Sequence, residues 1–235
     1  MDCAHYSHLA ELFDFPAAGF ENRARALAAL LRDGYPDAAA AVDRFLAGLP
    51  PRTLDIQELH TRTFDVQSLT TLDVGYVLFG DDYKRGALLS HLNQEHGRAG
   101  NDSRGELADH LPNVLRLLPK LEDPELRHEL VEHLLVPSLM LMLREFEDGR
   151  VARKNANYRK HYKTLIDEAP QADSTLYRHA LQAALQVLTQ DFQAGNIVAR
   201  LSDWSRRPQT IDFLGMVRNE MEIEDCAGTF AGQNP

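Results

Sequence analysis

The stretch that decides the fold is LYRHALQAALQVLTQDF, residues 176–192. Its apolar side chains recur every three or four positions, which places them along one stripe of a helix. The members of this stripe are Leu176, Ala180, Leu181, Ala184, Leu185, Leu188 and Phe192. Such a stripe is typical of an amphipathic helix that buries one face, so we predict a helix over this segment.

Other segments extend the helical pattern toward the amino terminus. Residues 23–32 and 37–47 are rich in Ala and Leu, and GYP at 34–36 is a breaker between them. Residues 71–79 are ambiguous, because their apolar side chains fit both strand and helical spacing. The chain has no second strand signal of comparable strength, and an isolated strand is unstable, so we predict a helix there.

Local signals also mark where helices begin. Asp123 and Pro124 predict an N-cap and a proline at the first helical position, in a helix that runs through Leu135. Pro137 is expected to start or kink the segment that follows. Residues 103–106, SRGE, have the spacing of a capping box and predict another short helix.

The whole pattern predicts an all-α protein with a single-domain helical bundle over residues 1–201. The chain contains neither an internal repeat nor a long linker. From residue 202 the composition changes to an RRP sequence, an acidic run and the ending AGTFAGQNP. We therefore predict a partly ordered carboxy-terminal tail over residues 202–235.

Charge and cysteine content exclude several classes of protein. The 235 residues include 35 acidic and 25 basic side chains, a formal net charge of -10. An acidic surface disfavours non-specific binding to nucleic acid or to anionic membranes, because phosphate contacts need clustered Lys and Arg. The two cysteines, Cys3 and Cys226, supply neither a disulfide framework nor a thiolate metal cluster by themselves.

Membrane and export signals are also missing from the sequence pattern. The amino-terminal segment has acids at Asp2 and Glu11 and no cationic region followed by an apolar core. The most apolar stretch, Leu134–Leu143, is shorter than the roughly 20 residues that a membrane-spanning helix needs. We therefore expect a cytoplasmic protein with no direct membrane insertion.

The chain carries no strong catalytic or metal-binding motif. In HELVEH, residues 128–133, the two histidines are five apart and lie about 140° from each other around a helix, so they cannot chelate one ion. A nucleophile-elbow G-x-S-x-G is absent. GDDYKRG, residues 80–86, lacks the residue order of a P-loop. We therefore assign no catalytic residue and no metal ligand.

One basic cluster lies within this acidic chain. Its six cations, with no acid between them, are Arg150, Arg153, Lys154, Arg159, Lys160 and Lys163. The other 19 basic and 35 acidic residues give the rest of the chain a formal charge of -16. The cluster is a candidate phosphate or cofactor contact, above all through Arg153, Lys154, Arg159 and Lys160. The alternative is a solvated helix or one that pairs with the protein's own acidic face.

Two polar groupings have an ordinary structural interpretation. Glu58, Arg62 and Asp65 fall at i, i+4 and i+7 on one helix face, which is the pattern of an ion-pair row. Asp109 and His110 directly precede a proline-initiated helix and fit a helix cap. Both groupings also belong to a longer pattern.

That pattern has four segments in order: QELHTRTFD (57–65), GDDYKRGALL (80–89), QEHGRAG (94–100) and ELADHLPNVLRLL (106–118). Its motif residues are Glu58, Phe64-Asp65, Arg85-Gly86, Ala99-Gly100 and Asp109-His110-Leu111-Pro112. Together they resemble the NarJ/TorD family of redox-enzyme maturation chaperones, which includes the delta subunits of respiratory nitrate reductase. The resemblance covers about residues 54–120, and the helices on either side agree only in character.

The resemblance implies an all-helical chaperone that is not an enzyme. Such proteins bind the amino-terminal leader of a molybdenum-enzyme catalytic subunit and delay its twin-arginine export or membrane attachment. They hold the apo-subunit while molybdopterin guanine dinucleotide is inserted, so the implied cofactor contact is transient and none is held permanently. The ELHTRTFD style is most similar to the nitrate-reductase and type II dimethyl-sulfoxide-reductase group.

A receptor for such a leader needs carboxylates for its arginines and a groove for its apolar helix. The negative charge is expected from Glu58, Asp65 and Asp109. The groove is expected to be lined by Phe64, Tyr76, Tyr83 and Leu111. The residues expected to hold its geometry or polar rim are Arg85 and His110, and Pro112 completes the motif. Tyr76 and Tyr83 come from spacing, whereas the others match the family's motif.

Two other function classes stay open on the sequence. One is a helical metal-dependent hydrolase that uses the histidines and Asp109, which would carry stoichiometric metal. The other is a nucleotide or nucleic-acid binder centred on residues 150–163, whose binding would depend steeply on salt.

Overall fold

The computed structural model describes residues 4–66, 68–152 and 175–202. All secondary-structure elements bounded in these ranges are helices. Eleven α-helices are bounded within these ranges: α1 (Ala4–Glu11), α2 (Phe20–Leu31), α3 (Pro36–Gly48), α4 (Thr53–Phe64), α5 (Val74–Phe79), α6 (Tyr83–Arg98), α7 (Leu111–Leu117), α8 (Pro124–Glu129), α9 (Val136–Glu145), α10 (Tyr177–Asp191) and α11 (Gly195–Ser202). The described residues contain no strand, so the predicted all-α, single-domain bundle is confirmed.

Some predictions lie outside these ranges. The basic cluster beyond Arg150 and the predicted tail beyond Ser202 are not among the described residues. The predicted division at residues 201 and 202 therefore stays a prediction. Within the described part of the chain, every helix is too short or too polar to cross a bilayer.

The centre of the bundle is formed by α10 and α3, and α2 packs on the other side of α3. The predicted stripe on α10 is buried except for the half-buried Leu185. At its start the Tyr177 ring packs against Phe45 of α3, with the ring centroids 5.1 Å apart. Burial of this stripe joins α10 to the amino-terminal helix α3.

Two of the predicted helix boundaries are confirmed. Pro36, the last residue of the predicted breaker, is the first residue of α3, one position before the predicted segment 37–47. The Asp123 carboxylate caps α8 by accepting hydrogen bonds from the amides of Glu125 at 2.8 Å and Leu126 at 3.4 Å.

The helix that begins at Pro124 is not regular to its predicted end. Residues Leu130–Leu135 form a π-helical turn between α8 and α9. The next turn contains Pro137, which has no amide hydrogen to continue the α-helical ladder. The buried Ser138 Oγ in the same turn donates to the carbonyl oxygen of Leu134 at 2.6 Å. The missing amide hydrogen of Pro137 accounts for the wider, π-helical turn before α9.

The short helix predicted from the capping box at Ser103 up to Pro112 is wrong, because residues 101–110 contain no helix. Arg104 and Gly105 have φ angles of 55° and 86°, in the left-handed region that a right-handed helix cannot include. Asp102, not Ser103, makes the local side-chain bond, because its carboxylate accepts from the Arg104 amide at 3.0 Å. The segment is therefore a turn rather than a capped helix.

The ambiguous segment at 71–79 contains both kinds of structure that its pattern indicated. Val74–Phe79 is helix α5, as predicted, but the residue before it is extended and forms a single antiparallel β-bridge with His110. In this bridge the Val74 amide donates to Asp109 O at 3.0 Å, and the Leu111 amide donates to Leu72 O at 2.8 Å. The bridge joins the starts of α5 and α7.

A buried carboxylate ties the two ends of the described chain together. Asp191 of α10 accepts hydrogen bonds from His5 at 2.9 Å, Tyr6 at 2.6 Å and Tyr35 at 2.5 Å. Burial alone would raise the pKa of Asp191, but the hydrogen bonds from these three side chains outweigh it and lower the pKa. The ionised carboxylate thus holds α1, the α2–α3 corner and α10 in place.

Replacing Asp191 is expected to loosen this connection. Asp191→Asn keeps the size of the side chain but removes the charge that three donors share, so we expect the free energy of unfolding to fall by about 2 kcal/mol in urea titrations. Asp43→Asn is the control, because Asp43 is an exposed carboxylate 3.4 Å from Arg32 and is expected to cost less than about 1 kcal/mol. Equal losses in the two variants would contradict this role of Asp191.

Candidate functional site

An arginine-centred network joins two of the sequence motifs through Asp73, which belongs to neither. The Arg85 guanidinium donates from Nε to Asp109 Oδ2 at 2.9 Å and from Nη2 to Asp73 Oδ2 at 2.9 Å. His110 Nδ1 lies 3.2 Å from the other oxygen of Asp73. The β-bridge between Asp73 and His110 holds the two carboxylates at the spacing that one guanidinium spans.

This network is buried unevenly. The Asp109 side chain has no exposed surface, whereas those of Arg85 and Asp73 are 15% and 26% exposed. Burial lowers the pKa of Arg85, but its bonds and charge attraction to Asp109 and Asp73 outweigh this and raise it. The pKa of Asp73 is lowered, mainly by the hydrogen bond from His110. Arg85 therefore neutralises a carboxylate that could not be buried alone.

α5 is shaped to fit this network. A Cβ atom on Gly75 would lie 2.6 Å from Asp109 Oδ2 and 2.9 Å from Leu88 Cδ2, so only glycine leaves room for the carboxylate. The next residue, Tyr76, places its ring under the Arg85 guanidinium, 5.2 Å from ring centroid to Cζ. Gly75 and Tyr76 of α5 thus lie against the carboxylate and the guanidinium of the same ion pair.

The loop that carries Asp109 is held at its start by a helix stop. Gly100 has a φ of 57°, and the Asn101 amide donates to His96 O at 2.9 Å, which is the hydrogen bond of a Schellman motif. Asn101 Nδ2 then donates to His96 Nδ1 at 2.8 Å and to Asn113 O at 3.0 Å. His96 Nε2 in turn donates to Ala108 O at 3.0 Å, next to Asp109.

The end of α4 forms the neighbouring part of the surface. Glu58 is exposed and pairs with Arg62 at 2.5 Å, as in the ion-pair row that the spacing indicated. Asp65 is the C-cap residue, and its side chain is 59% exposed. His60 lies between them in sequence but is buried, with its ring 5.6 Å from the exposed ring of Phe15.

Apolar side chains are exposed around this region. Seven large hydrophobic residues of the described chain are exposed, and five of them lie within three positions along the chain of Arg85, Asp73, Asp65, His110 or Asp14. The five are Phe15, Val66, Tyr76, Tyr83 and Leu107. We call these five side chains, together with the exposed carboxylates Glu58, Asp65, Asp81 and Asp82, the candidate surface.

The structure brings some predicted site residues together and separates others. Arg85, Asp109 and His110 meet through Asp73, and Tyr76 packs on Arg85. Tyr83 lies on the candidate surface and is 78% exposed. Those predicted to contact phosphate, Arg153, Lys154, Arg159 and Lys160, lie outside the described residues.

Two of the expected groove residues, and the motif residue Pro112, are buried rather than exposed. Phe64 and Leu111 are 3% and 0% exposed, because they pack in the core, and Pro112 is buried beside them at the start of α7. They support the surface from beneath rather than line it. Asp109 also presents no free charge, since Arg85 binds its buried carboxylate. Exposed negative charge is instead provided by Glu58 and Asp65.

Within the described ranges, no three His, Cys, Asp or Glu side chains converge as metal ligands would. In the HELVEH segment, His128 lies 3.5 Å from Glu132 in an i, i+4 pair on the helix surface.

An open cleft of about 530 Å³ lies elsewhere, between α8 and the corner of α10 and α11. Its walls include Arg127, His128, Phe192 and Asp191, and none of the predicted site residues. Asp191 is already bonded to three donors. We place the candidate site on the Arg85 side because exposed apolar and acidic side chains occur together there.

Sequence reasoning missed four residues of the site: Asp73, Gly75, His60 and Phe15. Gly75 had a readable signal, since an isolated glycine in an apolar helical segment often marks a close approach. Asp73 immediately precedes α5 and reads as a cap, but its side chain makes no cap bond and turns to Arg85. Nothing local distinguished His60 or Phe15, because their contact joins segments 45 residues apart.

Comparison of this chain with models of known protein families and with curated proteins gave no match. The functional argument therefore depends on the residues and geometry of the chain itself.

Gly75→Ala is expected to disturb the ion pair that Gly75 accommodates. The added methyl group must displace the Asp109 carboxylate or Leu88, so we expect the free energy of unfolding to fall by about 1–3 kcal/mol in urea titrations. Gly86→Ala is the matched control on α6, because a Cβ there meets no atom within 4 Å. This variant is expected to be neutral or to gain up to about 1 kcal/mol. A neutral Gly75→Ala would contradict the close approach.

Stability is expected to fall in mild acid because of the histidines on this side of the molecule. Burial lowers the pKa of His96 and of His60 below the usual 6.5. The unfolded chain then takes up protons that the folded chain resists. Stability is therefore full above about pH 6.5 and declines as the pH falls toward the lowered folded values.

Urea unfolding of the full chain between pH 5 and pH 8 measures this slope. His96→Gln removes one of the two titrating groups, so we expect a shallower dependence of unfolding free energy on pH even if the variant is less stable throughout. An unchanged slope would assign the acid sensitivity to other groups.

Proposed function

We propose that this protein is a chaperone of the NarJ/TorD type rather than an enzyme. It binds the amino-terminal leader of a molybdenum-enzyme catalytic subunit in the cytoplasm. It holds the apo-subunit until molybdopterin guanine dinucleotide has been inserted, and so delays twin-arginine export or membrane attachment. The cofactor is cargo for the client, and this chain keeps none permanently.

The observation that carries the proposal is the composition of the candidate surface. Exposed aromatic and aliphatic side chains, such as Phe15 and Tyr83, occur there beside exposed carboxylates. A twin-arginine leader has the complementary chemistry, because it is cationic in one part and apolar and helix-prone in the next. Aromatic side chains bury large areas against such a helix, and carboxylates pair with its guanidinium groups.

Rigid support beneath this surface favours a binding role. Arg85 of α6 bonds the residues that precede α5 and α7, which fixes the starts of these three helices relative to one another. Tyr76 and Tyr83 therefore extend from a backbone whose position is fixed. Preorganised side chains lose less conformational entropy on binding, which raises affinity without new contacts. The charge of the chain acts in the same direction, since a net charge of -10 attracts cationic peptides at long range.

Fluorescence anisotropy with a labelled twin-arginine leader peptide tests the proposal. We expect saturable binding to the full chain, and roughly tenfold weaker binding for Tyr83→Ala or Phe15→Ala, since exposed aromatic anchors dominate such interfaces. Replacing both arginines of the peptide by glutamine is expected to weaken binding and to reduce its salt dependence.

Leu30→Ala is the matched control, because Leu30 is a similarly exposed apolar residue on α2, outside the candidate surface. It is expected to leave the affinity unchanged. A leader that does not bind the full chain would refute the proposed function, and one that binds equally well to all three variants would show that the candidate surface is not its binding site. Stoichiometric metal in the purified protein would instead favour a metal-dependent hydrolase.

A further inference from the structure

His60 is a buried histidine with an unusual pattern of hydrogen bonds. It is 5% exposed, and its Nε2 atom lies 3.1 Å from the carbonyl oxygen of Phe13. A carbonyl oxygen only accepts, so Nε2 must carry the hydrogen. The other ring nitrogen, Nδ1, has no hydrogen-bond partner among the described residues.

This leaves a buried acceptor without a donor. In the neutral ring, Nδ1 carries a lone pair, and an unpaired buried polar atom is costly. The nearest carboxylate oxygen, Asp65 Oδ2, lies 4.0 Å away and is also an acceptor. Two acceptors at this separation can both be satisfied by a single nitrogen that donates two hydrogens.

We propose that His60 Nδ1 and the Asp65 carboxylate form a two-acceptor subsite for a guanidinium or ammonium group of a bound polypeptide. The proposal rests on the proposed function and names where the cationic side chain of the bound segment is held. Nδ1 is shielded from solvent in the unbound conformation. Asp65 is exposed at the end of α4, and rotation of its side chain admits the donor to both acceptors.

The surroundings of the subsite suit a side chain with an apolar stem and a charged end. The Phe15 ring, 57% exposed, stands edge-on to His60 and can cover the stem of an arginine or lysine. The titratable and charged groups facing His60 are Asp65 at the end of α4, Asp14 before α2, and His110 before α7. Tyr177 of α10 also faces His60, with the ring centroids 5.6 Å apart, and burial raises the pKa of its phenol, so it stays neutral. Asp14 is paired with Arg104 and Arg116, and His110 with Asp73, so Asp65 is the carboxylate left for a ligand.

A proton competes with the cationic ligand for this subsite. Protonation puts a hydrogen on Nδ1, which turns the acceptor into a donor that pairs with Asp65 itself. The cation then loses both of its acceptors. Binding is therefore expected to weaken as the pH falls through the titration of His60, and bound ligand is expected to lower the pKa of His60 further by the same factor.

The test follows the His60 ring by NMR in the full-length protein as the pH is varied. The probes are N-acetyl-arginine methylamide, its lysine counterpart, and the uncharged N-acetyl-citrulline methylamide with NaCl added to equal ionic strength. The arginine or the lysine probe is expected to shift the His60 ring signals at pH 7.5, and to lose affinity as the pH falls through the titration of His60. Whichever cation binds more tightly identifies the side chain.

Asp65→Asn provides the matched variant, since the exposed substitution keeps the shape of the side chain but removes its charge. It is expected to abolish the shift, whereas Asp43→Asn on α3 is expected to retain it. Three results would overturn the proposal: the His60 ring signals shift with neither cation, they shift equally with the citrulline probe, or the shift persists unchanged in Asp65→Asn.

These outcomes are separable from those for the proposed function. Cation binding at His60 without leader binding refutes only the chaperone role. Leader binding that leaves the titration of His60 unchanged refutes only this subsite.

Discussion

The rest of the candidate site depends on one constraint, which is that the buried carboxylate of Asp109 must have a cation beside it. An uncompensated buried charge costs several kcal/mol, so Arg85 and Asp109 have to be placed together. This requirement determines where α6 begins relative to α7 and why Gly75 has no side chain. It also explains the β-bridge, because only an extended Asp73 reaches the other edge of the same guanidinium.

This constraint divides the motif residues into two groups with different physical roles. Arg85, Asp109, Gly100 and Pro112 build the framework, through an ion pair, a helix stop and a helix start. The exposed residues, among them Asp65 and Tyr83, depend on that framework for their positions but are not needed to form it. A surface of this kind can be altered for a particular partner at little cost in stability.

How well each element could be predicted follows from how local its cause is. The cap at Asp123 was predictable because the carboxylate bonds to amides two and three residues away. The short helix predicted between Ser103 and Pro112 is wrong although its capping-box residue types fit, because the loop must bring Asp109 back to Arg85 and therefore turns at Arg104 and Gly105. The π-helical turn lies between these cases, since Pro137 indicated an irregularity without specifying its form.

The sequence by itself determined that this protein is a helical bundle and which face of α10 is buried, because helical periodicity is a property of neighbouring residues. It also singled out Arg85, Asp109 and His110, which the structure brings into one network. Only the tertiary structure decided what each of them does: Asp109 is neutralised, Phe64 is buried, and Asp65 is exposed beside an unsatisfied His60. Charge compensation and burial depend on groups that are distant along the chain, and no local pattern specifies which of them meet.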